Sequence, residues 1–200
     1  MRLRLAALLL ASLAAVTPAV AAGLSGMGAN IFGSYFNFSK PNLQDHPVSK
    51  ISAGKLNIDL QRTKLRDLQK AFGGTIQQSG EATWLCYHTA DADSWFISNA
   101  LGGQEFVMMV AVQVAGKSAP RDCEAANESF ATPVFNVPGL GAKTADLKAH
   151  FGAAGGSSKI SYRADKAGGY ADIAQYLGYA MKSGTVVGIG VGETSIPTTH

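Results

Sequence analysis

Cys86, His88, Asp91 and Asp93 fall within a span of eight residues, a concentration of nucleophile, base and carboxylate that could do chemistry. A Cys–His nucleophilic pair needs a reduced thiol whose pKa has been lowered. The only other cysteine in the chain is Cys123. In an oxidising compartment an even count argues for a Cys86–Cys123 disulfide, and closing a loop of that length contributes about 3–4 kcal/mol on chain-entropy grounds. Two free thiols or a metal pair are the alternatives. Structural zinc wants four ligands, commonly in close pairs, and no such set accompanies the cysteines. Asp91 and Asp93 have something of a calcium loop, but such a loop requires further oxygen ligands and a glycine at fixed offsets. Residues 88–94 read more simply as a polar hairpin connection.

Other motifs dissolve on inspection. Gly116-Lys117-Ser118 follows an apolar run, as in a phosphate loop, but that loop needs a glycine where Ala111 stands and a helix where Pro120 stands. Gly188, Gly190 and Gly192 have the wrong spacing for a dinucleotide fingerprint. At strand period they share one face, with Val187, Ile189 and Val191 on the other. A face without side chains lets another element or a ligand approach the backbone, so these glycines either pack internally or line a groove. His46, His150 and His200 stand alone, and His150 falls in a helix's last turn, where a cation suits the dipole. No serine lies in a G-x-S-x-G elbow. The sequence thus displays no catalytic, cofactor or metal site. Trp84, Tyr87, Trp95 and Phe96 are expected mainly in the core, with one face of their strands open to service as an interface anchor.

The elements that must carry these residues are readable by period. Leu56, Ile58 and Leu60 alternate as in a short strand. Thr63 caps a helix through Leu65, Leu68 and Phe72, which Gly73-Gly74 ends. Strands follow at 83–89, 94–98 and 106–114. After a linker-like stretch the order recurs. Asp67-Leu68 and Phe72-Gly73 match Asp146-Leu147 and Phe151-Gly152 in register, and Lys64 matches Lys143. Strands are expected at 160–163, 173–181 and 186–191, with a turn at Ser183-Gly184. Tyr170, Ile173, Ala174 and Leu177 also fit a helix.

The N-terminus reads as an export signal. Arg2 and Arg4 precede an apolar run over residues 5–16 relieved only by Ser12; Pro18 and Ala19-Val20-Ala21 complete the three-part pattern. That run is too short to span a bilayer, and nothing later is long enough, so the mature chain is expected to have no transmembrane segment. Without Arg2 and Arg4, the 17 basic residues become 15 against 14 acidic ones, and the net charge falls from +3 to +1. The remaining cations are scattered, which sets nucleic acid aside. Residues 23–50 combine glycines with Ile31, Phe32, Tyr35, Phe36 and Phe38, an arm that docks on its own core or on a partner. The expected organisation is a signal peptide at 1–22, an N-terminal arm at 23–50, a first α+β repeat at 51–114, a linker at 115–133 and a second α+β repeat at 134–196.

A helix ending in D-L-x-x-x-F-G, followed by an antiparallel three-strand meander and repeated in tandem over residues 56–196, resembles two exported families. One is the β-lactamase inhibitor protein; the other is the small lipoprotein subunit of the outer-membrane β-barrel assembly machine, whose lipidation cysteine this chain lacks. The resemblance implies an α+β fold of two helix-plus-three-strand repeats, with helices on one face of the sheet and the opposite face free for binding proteins. It transfers no individual residue role. The expected function is a periplasmic or secreted, non-catalytic binding or envelope-assembly factor whose partner is another envelope or extracellular protein. A secreted enzyme inhibitor, and an enzyme using His88 with its neighbouring carboxylates, are the rival expectations.

Overall fold

A computed structural model describes residues 23–33, 40–152, 156, 158–168 and 170–197. The expected signal peptide, Tyr35, Phe36, Phe38 and His200 lie outside the described residues. In chain order the elements are α1 (Gly26–Gly33), β1 (Ile51–Ala53), β2 (Leu56–Asn57), α2 (Leu65–Phe72), β3 (Gln77–Ser79), β4 (Ala82–His88), β5 (Ala92–Ser98), a 3-10 turn (Ala100–Gly102) and β6 (Met109–Val114). Then come β7 (Glu124–Ala125), β8 (Val134–Phe135), α3 (Thr144–Phe151), β9 (Lys159–Lys166), β10 (Ala171–Lys182) and β11 (Thr185–Pro197). The fold is α+β. One large sheet runs β3-β4-β5-β6-β11-β10-β9, antiparallel throughout, with β7 lying parallel beside β4. A small sheet, β2-β1-β8, ties residues before α2 to residues before α3.

Leu65, Leu68 and Phe72 recur at helical spacing, so α2 buries one stripe on the sheet. Its start differs from expectation. Lys64, not Thr63, is the N-cap residue, because Asp67 one turn on accepts the Lys64 backbone N–H at 3.3 Å, while Thr63 Oγ1 accepts from the Asp59 N–H. The same arrangement recurs at α3, where Asp146 accepts the Lys143 N–H at 2.7 Å. Each helix start is also pinned by an isolated antiparallel bridge, Lys64 to Phe106 just before β6 and Lys143 to Thr185 at the start of β11. Val107 N–H donates to Thr63 O and Val186 N–H to Ala142 O, both at 2.8 Å. Leu68 and Leu147, one under each helix, are both fully buried.

Residues 170–179, which also fit a helix by period, are strand. β10 pairs with β11 on one side and β9 on the other, which satisfies its backbone along most of its length. β9 is an outer strand, and residues 42–43 cover its edge. Arg163 O accepts the N–H groups of Asn42 and Leu43, both at 3.0 Å; Asn42 Oδ1 accepts the Arg163 N–H at 2.8 Å; Asn42 Nδ2 donates to Ser161 O at 3.1 Å. An open row of donors and acceptors would otherwise template pairing with another chain.

The expectation of helices on one face only is corrected. The two faces of the sheet form two apolar clusters. α2 lies on the face that carries Leu85, Tyr87, Phe96, Val110 and Val112, and α3 on the same face over Tyr162 and Tyr179, whereas α1 covers the opposite face through Met27 and Ile31 against Trp84, Trp95, Ile97 and Ala111. Pleat alternation sends Trp84 and Tyr87 to opposite sides, and both are buried, as are Trp95 and Phe96. The face expected to stay free is therefore occupied, where α1 lies, by the chain itself. The first helix is followed by four strands of the large sheet, β3 to β6, rather than three, because the polar segment Gln77–Ser79 adds an edge strand to β4. Residues 115–133, read as linker, carry β7.

Candidate functional site

The glycines of β11 admit α1. A Cβ at Gly190 would stand 2.6 Å from Ile31 Cδ1, and one at Gly188 would stand 3.2 Å from Met27 Sδ. From the other side, a Cβ at Gly28 would meet the Trp95 ring at 2.7 Å. Helix and sheet thus approach at backbone distance, which only glycine permits. Gly192 lies beyond, over Met109. Gly188 and Gly190 pack internally under α1, while Gly192 also borders a small cleft with Phe32 and Met109.

Two buried carboxylates hold α1 in place. Asp122 takes the Ser25 backbone N–H at 3.1 Å, the Ser25 hydroxyl and the Trp95 indole N–H at 2.9 Å. This sets a negative charge at the helix's positive end. The neighbouring Cys123 is bridged to Cys86, with Cα atoms 4.4 Å apart, so a covalent bond fixes the segment that carries Asp122. The second carboxylate is Asp93. Its Oδ1 lies 2.6 Å from His88 Nδ1, and its Oδ2 accepts from Gln113 Nε2 at 3.1 Å. Gln113 Oε1 accepts the Met27 N–H at 2.8 Å. The structure thus brings His88 and Asp93 together, but the chain of bonds leads inward to α1. Asp91 is exposed in the hairpin turn. His150 packs against the Phe151 ring.

A concave feature rich in polar groups lies elsewhere, on the α2/α3 side of the sheet. Residues 46–62 cross the ends of β10 and β11 and leave a cleft of about 540 Å³, a volume ordinary for ligand sites. On its floor Glu193 Oε1 accepts from Gln175 Nε2 at 2.8 Å, and Glu193 Oε2 accepts from Gln61 Nε2 at 3.2 Å. Gln175 is itself locked by the strap: Val48 N–H donates to its Oε1 at 2.7 Å and its Nε2 donates to Val48 O at 2.9 Å. Gln61 reaches the carboxylate from a left-handed backbone, φ +64°, a conformation uncommon outside glycine that surrounding contacts must hold. His46 Nε2 donates to Ile173 O at 3.0 Å, which leaves Nδ1 facing Glu193 Oε1 across 3.9 Å. Lys50, Arg62 and Lys166 also line the cleft.

His46, isolated in the sequence, thus has a carboxylate neighbour far along the chain. Glu193 and Gln175 were missed although a signal for them exists. Glu193 follows Ile189 and Val191 at strand period, and Gln175 precedes Leu177 and Tyr179, so each puts a polar side chain on a face otherwise buried and apolar. The two stand directly opposite each other across the β10–β11 ladder. Among the described residues no cluster of three or more metal-ligating side chains is found, and no helix is long and apolar enough to cross a membrane. No protein-family model matches the chain, and neither a curated protein nor a solved structure matches it.

Proposed function

We propose that this is an exported, non-catalytic binding protein, built from a duplicated helix-and-meander unit, that receives an envelope or extracellular partner in the cleft between residues 46–62 and the ends of β10 and β11. The observation that carries the reading is the convergence of Glu193, Gln61, Gln175 and His46 on one floor. Glu193 and Gln175 sit where the neighbouring strand positions are apolar, and each of the four is fixed by a hydrogen bond to another of them or to the backbone. Groups so held are preorganised for a ligand.

The duplication rests on equivalences at a constant offset of 79 positions: Lys64 and Lys143, Phe106 and Thr185, Leu68 and Leu147. With β6 and β11 paired antiparallel, the last strand of each unit meets its counterpart at the centre of the sheet. The bridged cysteines and the N-terminal charge–apolar–small pattern support export.

Binding is favoured over catalysis by how the imidazoles are used. A general base needs a ring nitrogen within reach of the proton it removes. His46 spends Nε2 on a carbonyl and turns Nδ1 toward a carboxylate. His88 has the dyad orientation with Asp93, but it does not line this cleft.

The experiment is capture from an extracytoplasmic extract on immobilised mature protein. Ser49→Trp, which fills the cleft mouth, is expected to abolish capture, while Glu81→Ala in the distant β3–β4 hairpin leaves it intact. Capture by Ser49→Trp equal to that by the unmodified chain overturns the cleft as the binding site.

A further inference from the structure

The floor of the cleft holds a carboxylate, Glu193, with no lysine or arginine paired to it among the described residues. The Glu193 side chain is 17% exposed, and a carboxylate withdrawn from water calls for a counter-charge. Its two hydrogen-bond donors, Gln61 and Gln175, are neutral amides. Lys50, Arg62 and Lys166 line the same cleft, yet among the described residues none forms an ion pair with Glu193. His46 comes nearest, but 3.9 Å exceeds hydrogen-bond length. With Ile173 O taking the Nε2 hydrogen, Nδ1 is the ring nitrogen that faces the carboxylate. A ring nitrogen and a carboxylate oxygen thus stand 3.9 Å apart, a spacing that a group with several N–H bonds would bridge.

An ammonium has that chemistry: three donors, one positive charge and no acceptor. It would donate to His46 Nδ1 and Glu193 Oε1 together and supply a counter-charge. The rim is positive on balance, since the exposed Lys50, Arg62 and Lys166, none in an ion pair among the described residues, outnumber the one exposed carboxylate there, Asp59. Anything whose ammonium reaches the floor passes its next groups between those cations, which favours acidic groups there.

We propose that the cleft captures the free N-terminal α-ammonium of a polypeptide whose following residues are acidic, with Glu193 and His46 holding the ammonium and Lys50, Arg62 and Lys166 the carboxylates. This rests on the cleft being the binding site and adds which part of the partner enters it. The mature chain is titrated calorimetrically with a tetrapeptide pool, X-Glu-Glu-Gly-amide with X any residue, and with the same pool N-acetylated. The free-amine pool is expected to bind. Acetylation and Glu193→Gln are each expected to weaken binding at least about tenfold, the scale of a lost hydrogen bond to a charged group. Combined Lys50→Ala and Arg62→Ala are expected to weaken it and flatten its salt dependence. Equal binding of the acetylated pool overturns the proposal, as does no binding of either pool, or binding of free glutamate alone. If Ser49→Trp still abolishes capture from extract in those cases, the cleft remains the binding site and only the ammonium assignment falls.

Discussion

The Trp95 indole N–H donates to Asp122 Oδ2 at 2.9 Å, so one carboxylate joins the floor beneath α1 to the start of the helix itself. Asp122→Ala would leave the Trp95 and Ser25 donors buried without an acceptor. A destabilisation of about 2–4 kcal/mol is expected, measured by urea unfolding. Hydrogen exchange should show protection lost across residues 26–33 and kept in α2. Unchanged protection in α1 would show that the carboxylate does not hold the helix.

Three glycine-to-alanine variants should rank by what the new methyl meets. Gly28→Ala strikes the fully buried Trp95 ring, which cannot turn aside; Gly190→Ala strikes the flexible end of Ile31 and presses on Met27 Cε; Gly139→Ala meets nothing within 4 Å. Overpacking of this kind costs about 1–3 kcal/mol. Gly28→Ala is expected at the top of that range, Gly190→Ala lower, and Gly139→Ala within about 0.5 kcal/mol of the parent chain. The reverse order in thermal or urea unfolding would contradict the close seating of α1.

Cys86→Ala combined with Cys123→Ala removes a link between residues 37 positions apart. The expected loss is about 4 kcal/mol by the chain-entropy argument. Limited proteolysis should then cut within residues 115–133, which lose their covalent tie to β4. Resistance equal to that of the bridged chain would place the restraint on this segment in its packing instead.

Burial raises the pKa values of Tyr87, Tyr162, Tyr176 and Tyr179 above the usual tyrosine range, and the Glu124 charge adds to the rise at Tyr87. The folded chain then holds protons that the unfolded chain releases from about pH 10. Their contribution to stability is intact below that pH and is lost as pH rises toward the folded-state values. Urea midpoints should be insensitive to these groups at neutral pH and fall steeply in alkali. Absorbance at the phenolate band should lag behind free tyrosine until the protein unfolds. Ionisation of all four at the free-tyrosine pH, with the fold intact, would contradict their burial.

What could be read from the sequence was what neighbours along the chain decide. α2 follows from the spacing of Leu65, Leu68 and Phe72, and the β4–β5 hairpin from two apolar, aromatic-rich runs around a polar turn. α1 could not be read this way. Gly26, Gly28 and Gly33 are poor helix formers, and the helix persists because Gly188 and Gly190 give it a seat far along the chain. The Cys86–Cys123 pairing needed only counting. The cleft needed three dimensions, because His46, Gln61, Gln175 and Glu193 are gathered from four separate stretches. Only the polar side chains at core-facing positions of β10 and β11 hinted at it.

The seat of α1 has a consequence for the order in which the molecule can be assembled. Met27 is made near the beginning of synthesis, yet its floor at Gly188 arrives about 160 residues later, a separation that slows the closing contact. A ribosome-bound chain lacking β11 offers that helix only the part of its seat made by β5 and β6. Maturation is thus held back until the last strand emerges, and a nascent chain stalled short of Gly188 should remain soft and readily threaded through a narrow passage.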